Sequence, residues 1–296
     1  MGLLRSVGVV LHPTRMNVEA VSTLLAWADR ASLPVYGLPD EVGRLDCAAR
    51  PVAPEQLAEM SSLLVSLGGD GTMLRTMRLS HRGLTPVLGV NFGRLGFLAE
   101  VDLADLPQAL EAIDHHDFTV EARTAVTFAC GAVEAAEDEH AHDDRLAFND
   151  VALVRNPGHG SAVVEVVVEG ESFVRYAADA VIVATPTGST AYAFSAGGPV
   201  VSPRVEGLLV VPAAAHSAFN RALMLSSAEQ LLLRVLPTSG QLAVEVDGNV
   251  VRTVGPGDEL SFRVHSAAGK VVRLGRTTFY DRARRKLQVT GSAEAF

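Results

Sequence analysis

The stretch SLGGDGTMLR, Ser66 to Arg75, sets three glycines around one carboxylate. Gly68, Gly69 and Gly71 strip the loop of side chains, so backbone amides can come close to a ligand. With the helix that starts near Thr72, those amides suit phosphate oxygens. Two familiar phosphate loops are excluded. There is no G-x-G-x-x-G with an acidic residue about twenty positions on, and no Gly-Lys-Ser/Thr. The carboxylate of Asp70 is unusual in an anion cradle. It suits either of two tasks: taking a proton from a hydroxyl that attacks phosphorus, or holding Mg²⁺ beside the phosphates. The structural alternative is an Asx-turn at a strand end.

Three further segments carry chemistry-bearing side chains. ATPTGSTAYAFSAGGPVV, residues 184–201, gathers Thr185, Thr187, Ser189, Thr190, Tyr192 and Ser195 among glycines. Hydroxyls and amides without a nearby cation suit a polar, largely neutral ligand such as a nucleoside, and Tyr192 offers an aromatic face. FNDVALVRN places Asn149 and Asp150 at the head of a strand, where they can meet ribose hydroxyls or an amide. VNFGRLGFLAE, residues 90–100, puts Phe92 either over a ligand ring or in the core. The acidic run EAAEDEHAHDD (134–144) contains His140 and His142. It reads as a solvated loop rather than a metal site, because clustered carboxylates without an apolar frame hold no rigid geometry.

The elements that must position these residues change character along the chain. Up to about residue 120 strands and helices alternate. VGVVLHP, LPVYGL, SSLLVSLGGDG and TPVLGVN read as strands. Asn17 caps a helix carrying Val18, Val21, Leu25 and Ala28 on one face, and Asp102 caps another with Leu103, Leu106, Leu110 and Ile113. This alternation predicts a Rossmann-like α/β domain over 1–122, with ligands beyond the carboxyl ends of its parallel strands. From 123 to 276 the segments are short, Val-rich and turn-bounded, with hairpin signals at Glu169-Gly170 and Asp247-Gly248. That predicts an all-β second domain, sandwich-like or a distorted barrel. The end, 277–296, returns to helical character and is expected to pack back on the first domain.

The 296 residues carry 48% hydrophobic and 20% charged side chains, enough for two globular domains without disulfides. The net charge of −9 argues against nucleic-acid binding, and the basic cluster RARRK (282–286) reads as a solvated helical face. No apolar run approaches the ~20 residues of a membrane span, and the N-terminus does not read as a signal peptide. Cys47 and Cys130 lie far apart and show no metal-ligand spacing. Together these features predict a cytoplasmic protein with no membrane or nucleic-acid partner.

LGGDGTMLR, VLGVNFGRLGFLAE, FNDVAL and ATPTGSTAYAFSAGGPVV, in this order, together resemble the NAD kinases. The likeness runs from about Val65 to FYDRARRKL. It implies phosphoryl transfer from ATP or polyphosphate to the 2′-hydroxyl of the adenosine ribose of NAD, giving NADP. A divalent ion (Mg²⁺ or Mn²⁺) would assist, with no protein metal ligand assigned. The resemblance implies Asp70 as general base, and Gly68, Gly69, Gly71 and Thr72 as the phosphate loop. It implies an NAD site of Asp70, Gly71, Arg75, Asn149, Asp150, Asp179, Thr187, Gly188, Ser189, Thr190, Ala191, Tyr192 and Asn249, to which the residue reading above adds Phe92. It also implies a homodimer or homotetramer. Four departures stand out: Asp150 for the family's Glu, Ala180 for a Gly, Asn249 for a Gln, and AHSAFNRAL (215–223) without two usual prolines. The alternatives are a lipid or alcohol kinase of the wider superfamily and a non-catalytic dinucleotide-binding paralogue.

Overall fold

The structure, a computed structural model, describes residues 4–15, 17–44, 47–93, 96–131 and 145–289. The acidic run with His140 and His142 lies outside the described residues. The chain divides into two compact units, one of Met1–Ala122 with Gly269–Phe296 and one of Arg123–Ala268.

The first unit is built on parallel strands β1 (Val7–Leu11), β2 (Val35–Gly37), β3 (Arg50–Pro51), β4 (Leu63–Gly68), β5 (Val87–Asn91) and β6 (Val101–Asp102). Their order is β3-β2-β1-β4-β5, with β6 also parallel to β5. Every residue of β1, β4 and β5 is buried, as expected of parallel strands covered on both faces. The helices are α1 (Val18–Arg30), α2 (Pro39–Gly43), α3 (Pro54–Met60), α4 (Asp70–Ser80) and α5 (Leu106–Asp114). Asn17 caps α1 by accepting from the Ala20 N–H. Val18 is 64% exposed, and Leu24 rather than Leu25 is fully buried. The helix is therefore rotated slightly from the face its spacing predicts. Asp102 makes no capping hydrogen bond; a 3₁₀ turn, Leu103–Asp105, precedes α5 instead. The short helices α2 and α3 were not predicted from periodicity, since each is too brief to show it; both open on proline.

In this order the chain leaves β1 toward β2 and β3, then returns to add β4 on the other side. The boundary between β1 and β4 is thus a topological switch point, and the glycine loop follows the carboxyl end of β4.

The second unit contains most of β7 (Thr119–Cys130), then β8 (Leu146–Ala147), β9 (Asp150–Arg155), β10 (Ala162–Val168), β11 (Glu171–Ala178) and β12 (Ala180–Ala184). A 3₁₀ turn (Thr187–Thr190) and the short helix α6 (Tyr192–Ser195) lead on. The strands β13 (Gly207–Ala213), β14 (Leu223–Ser226), β15 (Leu231–Val235), β16 (Leu242–Val246), β17 (Asn249–Val254) and the first part of β18 (Glu259–Arg273) complete it. One antiparallel sheet runs β11-β10-β15-β18 and another β14-β13-β12-β9-β16-β17. Val164, Val166 and Leu233 of the first meet Val151, Val183 and Val244 of the second in one core, which is a sandwich. Strand β12 is buried on both faces, because Ile182 and Ala184 pack the other way against Ala193 and Tyr192. Both predicted hairpin turns are two-residue loops with positive φ at each residue: Glu169 and Gly170, Asp247 and Gly248.

The chain ends in the first unit. The last part of β18 pairs with β5 at Val271 and Val87, and α7 (Phe279–Lys286) follows. Thr278 and Asp281 form a capping box at its start. The Glu100 carboxylate, its side chain 1% exposed, accepts from the backbone N–H of Leu274 (3.2 Å) and Arg276 (3.0 Å). Arg273 donates to the Leu98 carbonyl (2.9 Å) and meets Glu121 at 3.1 Å.

Candidate functional site

In the first unit the glycines of the loop have separate reasons. A Cβ on Gly68 would lie 2.2 Å from the Thr72 Oγ1, so the first turn of α4 can close over the strand end only with glycine there. Gly69 and Gly71 have open space where a Cβ would stand. Gly69 occupies the N-cap of α4 and supplies no side-chain cap. The first-turn amides, which have no intrahelical acceptor, are thereby left to meet an anion.

Asp70 is the first residue of α4 and forms no Asx-turn. Its Oδ2 accepts from the Phe97 N–H (2.9 Å) and its Oδ1 from the Leu98 N–H (3.1 Å). Lys286, on α7, reaches Oδ2 at 3.1 Å and sits 4.5 Å from the centre of the Phe97 ring. A carboxylate has about four lone-pair positions, so three hydrogen bonds leave one, on Oδ1. A Cβ on Gly96 would lie 2.2 Å from that same oxygen. The loop after β5 can approach Asp70 only because residue 96 is glycine.

Arg75 turns elsewhere. It pairs with Glu41 at 2.6 Å and donates to the Leu11 carbonyl at 3.3 Å. Glu41 is buried and its second oxygen accepts from the Leu11 N–H at 2.7 Å. With Pro13, Leu38 and Arg44, this arginine lines a cavity past the end of β1. Phe92 is half-buried against the core of the unit.

The second unit assembles the other predicted residues. The Asp247 carboxylate accepts from the N–H groups of Asn149 (2.8 Å), Asp150 (3.3 Å) and Phe148 (3.3 Å). The hairpin residue therefore also caps the head of β9. From the other side, the Asn149 carbonyl accepts from the Thr185 N–H at 2.8 Å. Thr185 Oγ1 donates to the Phe148 carbonyl (2.6 Å) and accepts from the Gly188 N–H (3.1 Å). Several hydroxyls of the 184–201 segment are spent internally. Ser189 donates to the Pro186 carbonyl (2.7 Å) and accepts from the Val201 N–H (3.0 Å), and Thr190 donates to the Thr187 carbonyl (3.3 Å). Their role is to fix the turn. Tyr192 and Thr190 stay half-exposed at its end. Ala191 links the turn to α6. Asp179 pairs with Arg155 at the corner before β12. Asn249, the first residue of β17, is exposed.

Asp150 is buried, and its carboxyl is pushed from an ordinary 3.8 up to about 7. Burial is the main cause, followed by the negative charges of Asp247 and Glu245; a hydrogen bond from the Tyr192 backbone N–H pulls the other way. The Tyr192 hydroxyl is also raised, by burial first and then by Glu245, Asp150 and Asp179. Between about pH 4 and 7 the folded state keeps a proton that the unfolded chain releases, so stability falls as pH rises through that window and stays lower above it. Asp150→Asn removes this penalty. It is expected to raise stability at pH 8 by up to about 4 kcal/mol, with the gain vanishing toward pH 4. Thermal melts of both proteins across pH 4–8 check this, and a pH-independent difference would contradict it.

Lys286, Gly96 and Asp247 were missed as site residues by sequence reasoning. For Lys286 a signal existed: Arg282 and Lys286 are four apart on a helix and share a face. Arg282 is buried, while Arg284 and Arg285 are exposed, so only part of the basic cluster is the solvated face predicted.

Among the described residues, no helix is long and apolar enough to cross a membrane, and no group of three or more His, Cys, Asp or Glu is placed to hold a metal ion.

Residues 7–118 match the family model described as ATP-NAD kinase N-terminal domain, and residues 148–274 the one described as ATP-NAD kinase C-terminal domain. The chain is 37% identical over 320 residues to NAD kinase 1 of Streptomyces avermitilis, covering 98% of this chain and 88% of that protein. It is 36% identical over 285 residues to the NAD kinase of Heliobacterium modesticaldum, covering 96% and 98%. Among solved structures, an Archaeoglobus fulgidus NAD kinase in complex with ATP superposes with a TM-score of 0.72 at 25% identity, covering 96% of this chain and all of that one. Yeast NADH kinase complexed with NADH gives 0.82 at 24% identity, covering 99% and 90%, and speaks to the fold alone.

Proposed function

This chain belongs to the NAD kinase family, and from that premise we propose that it transfers a phosphoryl group from ATP, or from polyphosphate, to the 2′-hydroxyl of the adenosine ribose of NAD, giving NADP. The observation that carries the mechanism is the Asp70 carboxylate: fixed at the sheet's switch point by two amides and a lysine, with one acceptor position left on Oδ1. In the proposed step the 2′-hydroxyl proton passes to Asp70 Oδ1. The ribose oxygen bonds to the terminal phosphorus, and the bond from that phosphorus to its bridging oxygen breaks, releasing ADP or the shortened polyphosphate. We assign the phosphates to the loop at Gly68, Gly69, Gly71 and Thr72, while the Arg75 guanidinium stays engaged by Glu41. We assign NAD to Asn149, Asp150, Asp179, the Thr187–Tyr192 turn and Asn249.

The surroundings of Asp70 do not suit a resident metal, since an ammonium and two N–H donors fill most of its acceptor positions. A divalent ion, Mg²⁺ or Mn²⁺, is therefore assigned to the donor's phosphates as part of the substrate. Cytoplasmic location and a homodimer or homotetramer are proposed from the family; light scattering on the purified protein distinguishes the two assemblies. The relatives named above carry NAD or NADH, not a lipid, in their names.

The direct test is NADP formation by the purified protein with NAD, Mg²⁺ and ATP or polyphosphate. Turnover ranks the donors; absence of NADP with every donor overturns the reading. A second expectation concerns Gly96→Ala. The atoms nearest the added methyl are those of the pinned Asp70 carboxylate, so kcat should fall roughly 10- to 100-fold. The melting temperature should move little. A variant that loses its fold instead, or keeps its full kcat, would show that the close approach at Gly96 does not serve Asp70.

A further inference from the structure

We propose that Lys286 is a positioning residue for the phosphoryl transfer. It acts through Asp70 and supplies, from the C-terminal helix, the lysine that the glycine loop itself lacks. The inference rests on the reading of Asp70 as the base.

The loop from Ser66 to Arg75 has no lysine, and its one arginine, Arg75, is held by buried Glu41. Lys286 lies 216 residues further along the chain from Asp70, yet both belong to the first unit. Its ammonium is held from two directions, by Asp70 Oδ2 at 3.1 Å and by the Phe97 ring at 4.5 Å. Neither contact is incidental to one exposed side chain, because α7 is fixed on its own account. The capping box starts it. Arg282, one turn before Lys286 on the same face, is buried and donates to the Thr277 carbonyl at 2.9 Å. Upstream of the helix, Glu100 binds the backbone of Leu274 and Arg276.

The consequence for Asp70 is a division between its two oxygens. Oδ2 is filled by the Phe97 amide and the ammonium, while Oδ1 carries only the Leu98 amide. A base must offer one defined lone pair to the hydroxyl it deprotonates, and a carboxylate free to pivot offers either. Without Lys286, Oδ2 regains an open acceptor position and competes with Oδ1 for the proton and for orientation.

The test compares Lys286→Met and Lys286→Arg with the wild type in steady-state NADP formation, in otherwise wild-type and Asp70→Asn backgrounds, with melting temperatures recorded for each. Lys286→Met is expected to lower kcat roughly tenfold while the KM for NAD stays within about twofold, and Lys286→Arg to recover most of the loss. In the Asp70→Asn background, Lys286→Met should cost nothing further, because its route of action is already gone. If the Met substitution disturbs the helix, Lys286→Gln carries the same expectation with a polar neutral side chain. A Lys286→Met kcat equal to wild type, or an equal loss with and without Asp70, overturns the inference alone. A wild type that forms no NADP overturns the reading of the site and this inference with it.

Discussion

Asp70→Asn is expected to lower kcat for NADP formation by about 10²- to 10⁴-fold, the range over which a positioned base contributes. Asn is nearly the same size, so the loop has no steric reason to move. It keeps one carbonyl acceptor but puts two N–H donors on the other atom of the side chain. In the wild type that atom faces donors on either choice: the Phe97 amide and Lys286 on one side, the Leu98 amide on the other. The variant therefore gives up at least one of these contacts, at a cost of about 1 kcal/mol in stability. That is small beside the catalytic loss. Steady-state kinetics with a thermal melt separate the two. A kcat within about threefold of wild type would remove Asp70 as the base and leave the phosphotransferase standing.

Gly188→Ala should damage the second unit more than any other single methyl in the 184–201 segment. Its Cβ would lie 2.0 Å from the Asn149 carbonyl oxygen, 2.5 Å from that carbonyl carbon and 2.7 Å from Asn149 Cα. All three are backbone atoms, so no rotamer change relieves the clash. Either the 3₁₀ turn lifts away or the head of β9 moves. Moving the turn breaks the Gly188 N–H bond to Thr185 Oγ1, and moving the strand breaks the Thr185 N–H bond to Asn149. A loss of about 2–3 kcal/mol is expected from overpacking of this kind. The KM for NAD should rise about tenfold or more, since Asn149, Asp150 and the turn would no longer share one geometry. Calorimetric titration with NAD and a melting curve check both. An unchanged melting temperature with unchanged affinity would show that the turn and the strand head are not coupled.

The contrast with Gly96 is instructive. Both glycines admit a close approach, but Gly96 faces a side-chain carboxylate and Gly188 faces main chain. The first substitution should therefore show mainly in kcat and the second in stability and binding.

Much of this was written in local sequence. Alternating apolar runs and breakers identified β1, β2, β4 and β5 of the first unit but not the two-residue β3 and β6, because burial on both faces demands continuous Val and Leu and two residues show no run. Period-two runs and the Glu-Gly and Asp-Gly turns identified most antiparallel strands of the second, though not β7, β8 or β14, since a two-residue loop needs positive φ, which the glycine supplies at its second position. The glycine loop and the hydroxyl-rich segment could be located, and the resemblance to a family stated, because each is contiguous. The short helices α2 and α3 could not be, having too few turns for a period to emerge.

What contiguity hid was everything that depends on distant residues sharing space. Asp247 reads as a turn residue in sequence, and in the fold its carboxylate also caps the amides of residues 148–150. The hydroxyls of Ser189 and Thr185 read as ligand contacts, yet packing spends the first on the Pro186 carbonyl of its own turn and the second on the Phe148 carbonyl beside β9. Lys286 sits in a basic run that reads as solvated, and the helix places it on Asp70. The longer strands and helices, the kinase family and the carboxylate at the phosphate loop are legible in the sequence alone, since these follow from local periodicity, turn chemistry and contiguous motifs. Which oxygen of Asp70 is left open, and which lysine stands beside it, emerges with folding, because hydrogen-bond saturation of a side chain is a property of the atoms around it and not of its neighbours in the chain.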